Sequence, residues 1–218
     1  MDKNVHGYSI TLQLANEPCL VVGGGGVAER KTLGLLRSGA RVTVCSPILT
    51  PVLASLQASK QIVWQERFFQ PGDTAGYLLV IASTDDDALN RRIAEEVKKQ
   101  GKLVNVATAP EAGNFNVQAF VSCGDLLLTV STGGKSPALS RLIRQELSEL
   151  YGEEMNAFLQ FLETQRLQLQ ELDGASKDRE KFWRQLLRPE WLGAVRAGGR
   201  KEIEGKIRDA ASRFGAEP

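Results

Sequence analysis

Apolar and polar positions alternate in blocks along the first half of the chain, and each block has the length of one secondary element. Cys19-Leu20-Val21-Val22 is a short continuous apolar run, the signature of a parallel strand buried on both faces. Gly23 to Gly26 follow it, and from Val27 onward Ala28, Thr32, Leu35, Leu36 and Gly39 recur at the helical period. Arg41 to Cys45 reads as the next strand. Thr50-Pro51 offers an N-cap and a first-turn proline for a helix to about Ser59, and Ile62-Val63-Trp64 is a third strand. Pro71-Gly72-Asp73 is a turn, and Tyr77 to Ala82 is the strongest buried-strand signal in the chain. Ser83-Thr84 and Asp85-Asp86-Asp87 open a helix to about Gln100, and Leu103 to Val106 is a fifth strand. Ahead of these, Val5 to Leu14 alternates Tyr8, Ile10, Leu12 and Leu14 at strand period as a lead-in segment.

Five strands interleaved with helices predict an α/β fold, a Rossmann-type doubly wound parallel sheet. From Pro110 the pattern changes. Phe115 to Val121 and Leu126 to Ser131 are strand-like and joined by Ser122-Cys123-Gly124-Asp125, which makes a hairpin. Ser136-Pro137 then caps a helix to about Tyr151. Helices are expected at Glu153 to about Leu172, Asp178 to about Leu187 and Glu202 to about Phe214, with breaks at Asp173-Gly174 and Gly198-Gly199. The expected parts are a dinucleotide-binding domain over 1–112, a small α+β dimerisation unit over 113–151 and a helical C-terminal domain over 152–218. The middle part is too small to bury a core alone, so it packs on the first domain or pairs with a second subunit.

Composition narrows the function classes. With 42% hydrophobic and 24% charged residues the chain is ordinary for a soluble globular protein, and its net charge of +1 gives no global case for nucleic acid or membranes. No apolar run approaches the ~20 residues of a membrane span, and the N-terminus lacks the apolar core of a signal peptide. Cys19, Cys45 and Cys123 form no CxxC and read as thiols of a reducing cytoplasm. The single histidine, His6, excludes a His-based metal cluster. From Asp173 onward 11 Lys/Arg face 8 Asp/Glu, an excess that a solvated helix face accounts for.

The candidate chemistry starts at Gly23-x-Gly25-x-x-Ala28, a GxGxxA fingerprint between a buried strand and a helix. Gly23, Gly25 and Gly26 are therefore expected to hold a diphosphate at the helix N-terminus. The alternative is a tight turn and nothing more. The acidic residue that normally holds the adenosine ribose is missing, because the second strand ends Cys45-Ser46-Pro47-Ile48. Ser46 can offer a hydroxyl there, and NAD is the expected cofactor, with no arginine at that point to argue for NADP. Ligands of such a sheet bind outside the carboxyl ends of the strands. Thr84 and Asp85 follow one strand end there, and Asn105 to Pro110 covers another. N-capping alone explains at least two of Asp85, Asp86 and Asp87. A second glycine turn, Thr132-Gly133-Gly134-Lys135-Ser136, opens onto a helix N-terminus suited to carboxylates or phosphates. Lys135, Arg141 and Arg144 either line a pocket for an anion or face solvent.

Taken together, VVGGGGVAERK (21–31), ASTDDDALN (82–90), NVATAP (105–110) and STGGKSPALSRLIRQEL (131–147) resemble the precorrin-2 dehydrogenase family. That family includes the yeast dehydrogenase/ferrochelatase and the N-terminal module of bacterial siroheme synthase. The likeness covers essentially the whole chain in order, and without a following methyltransferase module it is similar to the stand-alone form. It implies a cytoplasmic homodimer that oxidises precorrin-2 to sirohydrochlorin with NAD, and in some members Fe(II) insertion to siroheme. It also implies NAD contacts at Gly26-Val27 and Pro47-Ile48. Eight substrate carboxylates would meet Asn105, Thr132, Gly133, Lys135, Ser136 and Arg141. One departure stands out. The position matching Thr108 is, in the siroheme synthase module, an aspartate taken as proton acceptor, and a threonine hydroxyl is a poor base near neutral pH. The phosphorylated serine of that module corresponds to Thr132. Thr108 and Asp85 are the candidate catalytic residues, and solvent can also take the proton. No His, Cys or carboxylate cluster has metal-ligand spacing. Two other classes stay open: an NAD-sensing regulatory domain without chemistry, and a relative limited to binding or metallating the tetrapyrrole.

Overall fold

The computed structural model describes residues 7–171 and 176–214, and the chain divides into two compact units at Val117/Gln118. In the first unit five strands pair in parallel in the order β3-β2-β1-β4-β5. They are β1 (Pro18–Val22), β2 (Arg41–Cys45), β3 (Ile62–Gln65), β4 (Leu79–Ala82) and β5 (Leu103–Val106). Three helices cover them: α1 (Gly26–Arg37), α2 (Pro51–Ala58) and α3 (Asp87–Lys99).

The continuous apolar runs have a simple cause. Side chains alternate along a strand, so a strand covered on both faces must be apolar at every position. Cys19 and Val21 enter one core with Ala28, Leu35 and Leu53, while Leu20 and Val22 enter the opposite core with Ile93, Ala94 and Val97. Chain direction across the sheet reverses between β1 and β4, and that switch point is where such sheets bind ligands. Register places the strand ends level: Val22 pairs with Cys45 and with Ala82, and Ala82 pairs with Val106. Gly23, Ser46, Ser83 and Ala107 consequently leave the sheet along one edge.

The helix boundaries follow the expected caps. The Thr50 side chain accepts from the Leu53 amide and Asp86 accepts from Leu89, each worth about 1 kcal/mol. Differences from the expected pattern lie at the margins. Residues 7–14 form no strand, because only Leu14 finds a core to bury against; Tyr8 is 92% exposed. Val5 and His6 lie outside the described residues. The ladder of β4 starts at Leu79, two residues later than expected. Phe115 to Gln118 do not extend the hairpin. Asn114 and Phe115 are tied to β5 instead: Asn114 N–H donates to the Val104 carbonyl (3.0 Å), and Asn105 Nδ2 donates to the Phe115 carbonyl (3.1 Å). The edge strand is thereby covered.

After β3 the chain is fastened by Arg67, whose two guanidinium nitrogens reach Asp73 at 2.6 and 2.9 Å. That hydrogen-bonded guanidinium holds the Asp73 carboxyl below its usual range, against the opposing effect of burial. A carboxylate depressed on folding contributes stability above its unfolded pKa of about 4 and loses it as pH falls through the folded value. Asp73→Asn is expected to cost about 1 kcal/mol at neutral pH, because the partly exposed pair is screened. The gap to wild type should close on acidification below about pH 4 in denaturant titrations.

In the second unit, β6 (Ala119–Cys123) and β7 (Leu126–Val130) form an antiparallel hairpin followed by α4 (Pro137–Leu150). Helices α5 (Glu153–Gln170), α6 (Ser176–Leu186), α7 (Pro189–Ala194) and α8 (Arg200–Arg213) follow. Neither α7 nor the π-helical turn Val195–Gly199 behind it is among the expected elements; in that turn Gly198 takes φ 87° and breaks the helix. The break expected at Asp173-Gly174 lies outside the described residues. Met155, Phe158, Val195, Ile203 and Ile207 form this unit's core. Glu204 is buried beside it and answered by Arg200 (2.5 Å) and Arg208 (3.4 Å).

Candidate functional site

The four glycines after β1 divide into two pairs with different tasks. Gly23 has φ 120°, and a Cβ there would lie 2.5 Å from the Ser83 carbonyl oxygen. At Gly24 a Cβ would lie 1.8 Å from the Ile48 carbonyl oxygen and 2.6 Å from Ser46 Oγ. The first pair is thus the contact surface for the loops that follow β4 and β2. Gly25 and Gly26 are exposed, and a Cβ at either would meet nothing within 4 Å. Gly25 is the N-cap of α1 and supplies no side-chain cap. Among the described residues, the amides from Gly24 to Ala28 have no hydrogen-bond acceptor. Open space in front of an uncapped helix N-terminus, with its amides and positive dipole end unanswered, fits the diphosphate of a dinucleotide.

The loop after β2 closes onto this turn. Thr50 N–H donates to the Gly24 carbonyl (3.0 Å), and Trp64 Nε1 donates to the Ser46 carbonyl (2.8 Å). Ser46 differs from its expected role. It is buried, and its hydroxyl donates to the Ile48 carbonyl at 2.8 Å, so it shapes the loop and offers no free hydroxyl donor to a ribose. Pro47 and Ile48 remain exposed beside Gly24, with Ile48 at 75%.

Thr84 and Thr108, expected at two strand ends, are joined by a residue the sequence reading did not single out. Asn90, on α3, is completely buried. Its Oδ1 accepts from Thr84 N–H (3.1 Å) and Thr84 Oγ1 (2.8 Å). Its Nδ2 donates to the Thr84 carbonyl (2.9 Å) and reaches the Thr108 hydroxyl (3.4 Å). Thr108 itself is exposed, just beyond the carboxyl end of β5. Of the three aspartates, Asp86 caps α3 and Asp87 sits in its first turn. Asp85 precedes the helix and is exposed, with no hydrogen-bond or ion-pair partner among the described residues. Asn105 is buried in β5.

Thr132, Gly133, Lys135, Ser136 and Arg141 all fall in the second unit. Gly133 and Gly134 take φ 60° and 78°, and the Thr132 hydroxyl donates to the Ser136 carbonyl (3.0 Å). The Ser136 side chain caps α4 through the Leu139 amide. This turn satisfies itself, while Lys135, Arg141 and Arg144 are exposed and make no ion pair among the described residues. No group of three or more His, Cys, Asp or Glu converges among the described residues, and no described helix is long and apolar enough to cross a membrane.

Comparison with known proteins agrees with this geometry. Residues 10–119 match a family described as putative NAD(P)-binding, and residues 124–150 match the sirohaem biosynthesis protein central region. Siroheme synthase 1 of Aeromonas salmonicida is 36% identical over 200 residues, which is 92% of this chain and 43% of that protein. Siroheme synthase of Thioalkalivibrio sulfidiphilus is 37% identical over 180 residues, 83% of this chain and 37% of that protein. The chain thus spans less than half the length of these curated relatives. Among solved structures, "SirC, precorrin-2 dehydrogenase" superposes with a TM-score of 0.76 at 28% identity, covering 93% of this chain and all of that one. The first match spans half of the chain, and residues 124–150 are similar to the sirohaem biosynthesis protein central region: the chain belongs to the putative NAD(P)-binding family.

Proposed function

We propose that this protein is a cytoplasmic, homodimeric precorrin-2 dehydrogenase, which oxidises precorrin-2 to sirohydrochlorin with NAD in siroheme biosynthesis. The observation that carries the reading is the open row of amides at Gly25 to Ala28, level with the Thr84 and Thr108 ends of the same sheet. When bound, NAD supplies the hydride acceptor. The chain's own part is positioning. The glycine turn and Val27 anchor the diphosphate, Pro47 and Ile48 border the adenosine side, and Thr84, held by Asn90, borders the nicotinamide side. In the balanced reaction precorrin-2 and NAD⁺ give sirohydrochlorin, NADH and one proton. Asp85, a free carboxylate beyond β4, and Thr108 are the groups assigned to the proton's exit.

The division into a nucleotide domain over 1–112, a dimerisation unit over 113–151 and a helical domain over 152–218 is kept as a functional one. Exposed Phe120 and Leu127 on the hairpin, with exposed Leu139 and Leu142 on α4, support pairing of two copies through the middle part. Lys135, Arg141 and the turn around Thr132 to Ser136 are assigned to the substrate's carboxylates. The test is anaerobic: the sirohydrochlorin spectrum should develop with enzyme, precorrin-2 and NAD, and not without NAD. A folded protein that yields none contradicts the proposal.

Thr108→Asp places a carboxylate within reach of the Asn90 amide. A positioned base commonly contributes 10²–10⁴-fold, so even imperfect placement should raise kcat roughly tenfold. Steady-state rates with saturating NAD read this directly, and an unchanged kcat would place the proton acceptor elsewhere.

A further inference from the structure

A small pocket of about 160 Å³ opens beside β5, bounded by Arg30, Lys31, Asn105, Ala107, Pro110 and Asn116. We propose that it is a carboxylate subsite, which receives one acidic arm of the tetrapyrrole; the assignment rests on the function proposed above.

Two features point to an anion, and a third to a donor that arrives with it or with Lys31. The lining carries two adjacent cations from α1 and no acidic side chain. Neither Arg30 nor Lys31 makes an ion pair or hydrogen bond among the described residues. Lys31 is half-buried, and its ammonium is pulled below its ordinary range first by that burial and then by Arg30, the state of a charge without a counter-ion. The third feature is an unmet acceptor. Asn105 is only 4% exposed, and its Nδ2 donates to the Phe115 carbonyl, which fixes the amide's orientation. Its Oδ1 is then buried with no donor. Such a group is costly to leave unmet.

An incoming carboxylate answers the first two. Its oxygens accept from Lys31 and Arg30. A proton of the drawn-in ammonium, or a water brought with the anion, supplies the donor that Asn105 Oδ1 lacks. The neutral carboxamide of a nicotinamide would leave two cations uncompensated. The diphosphate already has its own amides at Gly25 to Ala28, one helical turn earlier on the same helix.

The experiment measures two equilibria on the whole protein. Uroporphyrin, a stable tetrapyrrole with eight carboxylates, is titrated by fluorescence, and NAD by calorimetry. Lys31→Met keeps the apolar stem and removes the charge. It should weaken uroporphyrin binding about tenfold while leaving NAD affinity within about twofold, and Lys31→Arg should recover most of the loss. Arg30→Met should act in the same direction. Unchanged uroporphyrin affinity in Lys31→Met overturns the subsite while leaving the dehydrogenase reading intact. A loss confined to NAD overturns it in favour of a cofactor role. Charge-dependent porphyrin binding by a protein that does not oxidise precorrin-2 supports the subsite and removes the activity instead.

Discussion

Gly25→Asp is expected to abolish NAD binding and leave the protein as stable as the wild type, or slightly more so. Gly25 has φ −84° and ψ −173°, extended backbone open to any residue, and a Cβ there meets nothing within 4 Å. Aspartate is a better N-cap than glycine by a few tenths of a kcal/mol, because its carboxylate accepts from the first-turn amides. Those are the amides assigned to the diphosphate. The variant would therefore fill the anion site with its own charge and repel the ligand's. Like charges about 4 Å apart at an effective dielectric near 20 oppose each other by about 4 kcal/mol, so calorimetry should show at least a hundredfold loss. Gly24→Ala is the contrast. Its Cβ would sit 1.8 Å from the Ile48 carbonyl oxygen, so it should fail by destabilising the fold. If Gly25→Asp bound NAD normally, the diphosphate would not lie at this turn.

Asn90→Ala should have the second largest effect. The change removes one fully buried side chain that serves the amide, carbonyl and hydroxyl of Thr84 and reaches the hydroxyl of Thr108. Leaving such groups unmet, with a small cavity beside Ile93 and Ala94, should cost about 2–3 kcal/mol and lower Tm by roughly 5–10 °C. A catalytic consequence should accompany it. The diphosphate turn does not depend on Asn90, so NAD should still bind with only a modest loss through Thr84, whereas kcat for precorrin-2 should fall about tenfold as the two strand-end loops lose their common anchor. A lower Tm with kcat unchanged would make Asn90 structural only.

Most of the first unit was legible because its elements are over-determined. The run Cys19 to Val22 is apolar at every position, the glycines follow at once, and Thr50 and Asp86 are caps with suitable residues behind them. Buried polar side chains were less legible. Asn90 lies on the same stripe of α3 as Ile93, Ala94 and Val97, and an asparagine in that apolar row was the available signal. Asn105, inside the apolar run of β5, carried a similar one, although its orphaned oxygen needs the fold to be seen. The burial of Ser46 was not readable, since it depends on a side chain folding back on its own loop and on an indole from β3. Short α7 escaped because Arg188 gives it no side-chain cap, although Pro189 marks its first turn.

The proposed reaction is hydride transfer from a tetrapyrrole to the nicotinamide of an NAD whose diphosphate the Gly25 turn anchors. Its most direct measurement is the stoichiometry of a single anaerobic reaction, with NADH and sirohydrochlorin quantified in the same sample. The predicted result is one NADH for each sirohydrochlorin, and neither product with Gly25→Asp. Sirohydrochlorin formed without NADH, or by the Gly25→Asp protein at the wild-type rate, would contradict it.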